Sequence, residues 1–207
     1  MRQYKKKIIT CVLAFFVLFT TTIDTTYAKT VPSIYTAGMT MSVGDCITLC
    51  TENVNVKWTA NQRCIKIQIA ETGRVNLIAL REGNAVVKAK SNGLTLKFEI
   101  KIRKHSLQRK KTAVQIYATG VDAEGNRTTK VVWSPIKGAQ GYVIYQKAGD
   151  KMKRVKTTEN PKRCEVFCTP GKDADGYEDN QFYVRAYLKK NGVTIYSQYS
   201  TADGIKE

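Results

Sequence analysis

Three kinds of side chain in this sequence could do chemistry: clustered cysteines, a single histidine and an acidic run. Beyond residue 28 there are five cysteines, Cys46, Cys50, Cys64, Cys164 and Cys168. Two pairs share a C-x3-C spacing, in "CITLC" and "CEVFC", which suggests a metal or a disulfide. Strand geometry argues against both. At ~3.3 Å per residue, positions i and i+4 of a strand share a face but lie roughly 13 Å apart. A disulfide needs Cα atoms within about 7 Å. Neither pair can close on itself, or grip one metal, while its segment stays extended, so no metal site is expected. A bridge from Cys46 or Cys50 to a neighbouring strand stays open. The odd count leaves at least one thiol free or paired between chains.

The single histidine, His105, lies in the polar run "RKHSLQRKK". A nucleophile–His pair needs the imidazole held by neighbours, and a mobile linker would not hold it. No general base of ordinary pKa is therefore expected. The acids Asp173, Asp175, Glu178 and Asp179 fall in "TPGKDADGYEDN". Paired carboxylates can hydrolyse glycosides, but they need a cleft between them. Asp-x-Asp spacing could also give calcium its hard oxygens, yet the rest of an EF-hand pattern is missing. We read a soluble acidic loop. "GKDADG" and "GAQG" match neither phosphate-loop nor dinucleotide spacing. The sequon at Asn126 matters only in a secretory pathway that uses it. No catalytic residue and no cofactor is expected, and the chain reads as a non-enzyme.

The elements that would position such groups are short strands. "LTLKFEIKI" alternates cleanly, with Leu94, Leu96, Phe98, Ile100 and Ile102 on one face. "VNVKW", "RCIKIQI", "RVNLIAL" and "NAVVKAK" behave alike, and helical periodicity is nearly absent. Asn92-Gly93 and Asn191-Gly192 are hairpin signals. Strands recurring with polar turns at intervals of about 8–12 residues describe sandwiches or barrels. The predicted fold is all-β: two Ig-like β-sandwich domains in tandem after an N-terminal signal peptide. Trp58, Trp133, Tyr142 and Ile144 are the expected core aromatics and aliphatics. In "GYVIYQK", Tyr142 and Ile144 should point inward, with Val143 and Tyr145 on the sheet surface.

Residues 1–28 are set aside as a signal peptide. "MRQYKKK" is a basic start, Ile8 to Phe19 an apolar run, and Thr26-Tyr27-Ala28 a small-residue cleavage site. The apolar run is short for a bilayer span; an uncleaved anchor is the alternative. The chain is expected to be secreted or cell-surface, and not integral to the membrane after cleavage. Formal charge is +17, falling to +14 without residues 1–28. A basic exported protein is drawn to polyanions such as wall polymers or glycans. No nucleic-acid motif accompanies the charge, and nucleic acid is not an expected partner.

The residues then resemble two known families. "VVWSPIKGAQGYVIYQK", "YVRAY" and "NGVTIYSQYS" make residues 113–205 similar to a bacterial fibronectin type III domain. The family's usual corner tyrosine is replaced by Asn180, so either Tyr177 substitutes from the loop or the corner is looser than usual. "SVGDCITLC", "VKW", "ETGRVNLIALREGNAVVKAK" and "LKFEIKI" make residues 36–103 resemble a bacterial Ig-like domain of group 2. There Gly73-Arg74-Val75 and Gly83-Asn84-Ala85 mark two turns and the strands that follow. Residues 104–112 read as a basic linker. Both families serve as spacers, adhesion modules and wall-binding accessories, and fold does not give function. The resemblance implies adhesion or cell-wall association, with a carbohydrate-binding accessory module as the alternative. The partner would be a cell-wall polymer, glycan or surface protein. Tyr145, Tyr187, Tyr196 and Tyr199 should cluster on the sheet of the third, sixth and seventh strands, with Arg185. Aromatic plus basic is a plausible surface for such a partner.

Overall fold

The computed structural model describes residues 34–50, 55–60, 63–71, 73–91, 94–121, 123–125, 127–169, 181–200 and 205–206. The expected signal peptide, the Asn92-Gly93 turn, Asn126, the acidic loop and the expected Tyr177–Asn180 corner lie outside these residues. The chain divides between Arg103 and Lys104 into two compact units.

The first unit contains β1 (Ile34–Ser42), β2 (Cys46–Cys50), β3 (Lys57–Ala60), β4 (Ile65–Glu71), β5 (Arg74–Ala79), β6 (Gly83–Ser91) and β7 (Leu94–Arg103). One sheet runs β1-β7-β6-β3 and the other β2-β5-β4. Together they form an Ig-like sandwich. The period-2 pattern explains the core: Val75, Leu77 and Ala79 of β5 face Ala85, Val87, Ile100 and Ile102, and all are buried. The predicted inward face of β7 is only partly covered. Ile100 and Ile102 are buried, whereas Leu94 and Leu96 are exposed, where β7 pairs with the far end of β6. Trp58, expected in the core, is half-buried. It sits on the four-residue edge strand β3 and stacks on Phe98 at 6.2 Å.

The second unit contains β8 (Val114–Val121), β9 (Arg127–Trp133), β10 (Gly141–Ala148), β11 (Lys151–Thr158), β12 (Glu165–Cys168), β13 (Phe182–Lys190), β14 (Val193–Tyr196) and β15 (Ile205–Lys206). Its sheets run β12-β9-β8-β15 and β11-β10-β13-β14. Seven antiparallel strands split three against four, with β15 added in parallel, make a fibronectin type III-like arrangement of the Ig sandwich. Asn191 and Gly192 both have positive φ, as a two-residue type I′ hairpin demands.

Val114, Ile116, Val131, Trp133 and Val166 from one sheet meet Tyr142, Ile144, Phe182, Val184 and Ile195 from the other, all buried. Burying an aliphatic or Phe side chain fully contributes roughly 1.5–3 kcal/mol relative to exposure. Tyr142 is fully enclosed, so its hydroxyl needs a partner. It packs against Trp133 at 5.2 Å and accepts a 2.9 Å hydrogen bond from the Ile136 N–H. The phenol thereby ties the turn after β9 to the middle of the core.

Residues 104–112, expected to be a free linker, are built into the second unit. A 3₁₀ turn spans Ser106–Arg109. His105 caps it: the imidazole Nδ1 accepts from the Leu107 N–H at 3.2 Å, and Gln108 Oε1 accepts from the His105 N–H at 2.8 Å. Leu107 is 2% exposed. The one apolar residue in a polar run anchors the run, while its neighbours stay in water. Lys110 continues this docking, its carbonyl accepting from the Gln198 N–H at 2.9 Å.

Two substitutions and one surface control check these assignments by urea unfolding. Leu107→Ala should lower the stability of the second unit by about 2–4 kcal/mol, as a core leucine does; a free linker residue would change nothing. Tyr142→Phe strands the buried Ile136 N–H and should cost about 1–3 kcal/mol. Tyr117→Phe, whose hydroxyl bonds Gln115 at the surface, should cost under about 0.5 kcal/mol.

Candidate binding face of the second unit

The site begins with strand parity. On β10, Tyr142, Ile144 and Gln146 point into the core, so Gly141, Val143, Tyr145 and Lys147 face out. On β13, Phe182, Val184 and Ala186 point in, leaving Tyr183, Arg185, Tyr187 and Lys189 on the outer face. The register sets Gly141 opposite Tyr187, Val143 opposite Arg185 and Tyr145 opposite Tyr183. Tyr196 of β14 stands opposite Tyr187.

After Tyr196 the ladder changes character. Ser197 and Ser200 turn inward and their hydroxyls replace backbone acceptors. Ser197 Oγ accepts from the Ala186 N–H and Ser200 Oγ from the Val184 N–H, each at 2.9 Å. The Ser197 and Ser200 N–H groups in turn donate to the Ala186 and Val184 carbonyls. In a regular strand, positions three apart fall on opposite faces. This break puts Tyr196 and Tyr199 on the same one.

The result is a stack of rings around one cation. The Arg185 guanidinium lies 4.8 Å from the Tyr196 ring centroid and 4.5 Å from that of Tyr199. Its Nε donates to the Ser197 carbonyl at 2.8 Å. Tyr199 meets Tyr145 edge to face at 5.3 Å, and Tyr183 at 6.3 Å. Cation–π contacts of this kind are worth about 0.5–2 kcal/mol each. The face is therefore pre-assembled, with Arg185 clamped rather than free to swing onto a ligand.

Of the five residues predicted for the face, Tyr145, Arg185, Tyr196 and Tyr199 come together. Tyr187 does not join as an exposed ring. It is 6% exposed, because Gly141 leaves room for it. A Cβ at position 141 would come within 2.8 Å of the Tyr187 ring, and would strike the Thr158 carbonyl. Tyr187 fills that notch and has a packing role. Val143 faces the expected side but is buried, between Thr157 and Arg185. Tyr183 was missed by the sequence reading; its shared parity with Arg185 was the signal available. The same sheet ends in β11, where Lys151, Lys153, Arg154 and Lys156 are all exposed.

The other candidate groups stay apart. Cys46, Cys50, Cys64, Cys164 and Cys168 are all free thiols. His105 is a cap. Among the described residues, no three His, Cys, Asp or Glu side chains gather as a metal site. No described helix is long and apolar enough to cross a membrane.

No known family's sequence pattern matches the chain, and no curated protein matches it. Among solved structures it is similar to the FN1-FN3 domains of chicken CNTN1, at 15% identity and a TM-score of 0.33. That likeness covers 80% of this chain and 60% of the other. It is also similar to an endo-fucoidan hydrolase of glycoside hydrolase family 107, at 10% identity and a TM-score of 0.28. That match covers 84% of this chain and 28% of the hydrolase. The strand orders above define the class: two Ig-like β-sandwich units in one chain. The second is of the fibronectin type III-like kind.

Burial pushes the Tyr145 hydroxyl above the ordinary tyrosine range; Tyr199 beside it adds to the shift and Arg185 opposes it. Burial raises Tyr142 and Tyr187 as well. A raised folded-state pKa contributes stability that is complete below the unfolded value of about 10. That stability is lost as pH rises through the folded value. Burial raises the Cys46, Cys164 and Cys168 thiols from 9.0 as well, so stability should hold from neutral pH to about 9 and fall above it, read by urea midpoints at stepped pH. Absorbance titration should show a late tyrosine ionisation for Tyr142, Tyr145 and Tyr187.

Proposed function

We propose that the chain is an exported, non-enzymatic surface or secreted protein that acts in adhesion or cell-wall association through its Ig-like modules. The sequence resemblance to a group 2 bacterial Ig-like domain followed by a fibronectin type III domain supports this reading. One observation carries it. The outer face of β10, β13 and β14 presents a rigid tyrosine–arginine stack, and the same sheet ends in the cationic edge strand β11. Rings offer flat surface to sugars or partner side chains at little entropic cost. The lysines add a long-range pull on anionic polymer.

A second reading, a carbohydrate-binding accessory module beside a separate enzyme, is favoured by the opposite sheet. There Phe167 is 53% exposed on edge strand β12. Lys130 lies 5.9 Å from its ring and Tyr117 stands across Lys130 on β8. An open ring of this kind suits stacking on a neutral sugar.

Co-sedimentation of residues 29–207 with isolated cell walls tests both readings, at low salt and at roughly 1 M. Under the first, Lys151→Gln/Lys153→Gln/Lys156→Gln should weaken low-salt binding about tenfold, or 1.4 kcal/mol. Tyr145→Ala should remove whatever retention survives high salt, where exposed charges are screened. Loss through Phe167→Ala instead would favour the second reading. No sedimentation at either salt would sink wall association.

A further inference from the structure

The edge of β2 combines three features that the proposed binding face does not use. First, it is uncovered. β1 pairs with β7 in the other sheet, so β2 ends the sheet β2-β5-β4 with no described strand along its outer side. Second, it carries no charge. Natural edges are commonly blunted by lysine, and β3, β4 and β11 carry Lys57, Lys66 and Lys153 on theirs; the edges β1 and β14 are uncharged like β2 but carry no thiol. β2 reads Cys-Ile-Thr-Leu-Cys. Third, its two thiols are exposed, free and placed symmetrically about Thr48.

The backbone is oriented for pairing too. The Asp45 carbonyl accepts from the Ala79 N–H at 3.0 Å. By alternation, the N–H and C=O groups of Cys46, Thr48 and Cys50 turn toward the open edge.

We propose that β2 pairs with β2 of a second copy of this chain, antiparallel about a two-fold axis through Thr48, and that Cys46 of each copy bonds Cys50 of the other. The axis sets position 46 against 50 and 47 against 49. Opposed residues of an antiparallel pair lie about 4.5–5.5 Å apart at Cα, within the 4.4–6.8 Å that a disulfide spans. Within one chain the same thiols are roughly 13 Å apart and cannot meet. The spacing that forbids an internal bridge is the one that an isologous contact requires.

The oxidant is a small-molecule disulfide. The thiolate of one cysteine attacks its S–S bond, and one small thiol leaves. The opposed thiolate of the second copy then attacks the protein sulfur of that mixed disulfide and releases the second small thiol. Each protein bridge costs two protein thiols their protons and reduces one small disulfide to two thiols.

The test uses the full chain carrying Cys11→Ser, incubated with oxidised glutathione near pH 8 and followed on non-reducing gels. The parent should form a reducible dimer. Cys46→Ser and Cys50→Ser should each dimerise at least tenfold less by themselves, since each remaining thiol then faces a serine. An equimolar mixture of the two variants should restore the dimer, because Cys50 of one faces Cys46 of the other. Cys164→Ser should dimerise as the parent does. A parent that stays monomeric would overturn the proposal. So would single variants that dimerise alone as readily as the parent, which is the behaviour of adventitious exposed thiols. So would a mixture that fails to recover.

Discussion

The buried phenol of Tyr142 is the contact on which the second unit is arranged. A hydroxyl sealed in a core must find a partner, and this one accepts from the Ile136 N–H. That single bond holds the turn after β9 against the core and packs Trp133 on the same ring. It also fixes where β10 begins. With Tyr142 inward, Gly141 must face out beneath Tyr187, and Tyr145 must stand beside Tyr183. The outer face is thus a consequence of how the inner face is satisfied.

That face is stiff for a second reason. The chain beyond β14 abandons the regular ladder, and two serine hydroxyls take over as acceptors for β13. Replacing backbone by side chain keeps buried N–H groups paired while changing which residues point outward. Tyr199 is delivered over Arg185 by this change. The guanidinium is then held by two rings and a carbonyl at once. Such a cation is a structural pin, and the exposed charge of the sheet sits on β11.

The charge on the edges differs from strand to strand. The second unit ends one sheet in a strand of lysines and an arginine, which resists pairing with another chain and favours solvent or polyanion. The first ends one sheet in an uncharged strand with a thiol toward each end. β2 is open because β1 pairs into the other sheet, leaving no described strand along its outer side.

Much of this was written in local pattern. Period-2 alternation alone determined that the chain is all-β, and which residues of β7 and β10 share an inward-facing parity, because pleating ties face to parity. Parity likewise placed Tyr145 and Arg185 on an outer surface, and the C-x3-C spacing by itself excluded a bridge within either pair of an extended strand. Burial depth was decided only in three dimensions. Leu94 and Trp58 have the right parity but sit at the margins of the first sandwich, whereas Leu107, in a run that reads as linker, is buried. Tyr187 looked like a surface ring until Gly141 supplied a notch across the strand. Tyr199 reached the face through a break in β14 that no local periodicity signals, since hydroxyl-for-backbone substitution depends on what β13 offers opposite. The sequence determines the faces; the packing of one strand against another decides which of them water reaches.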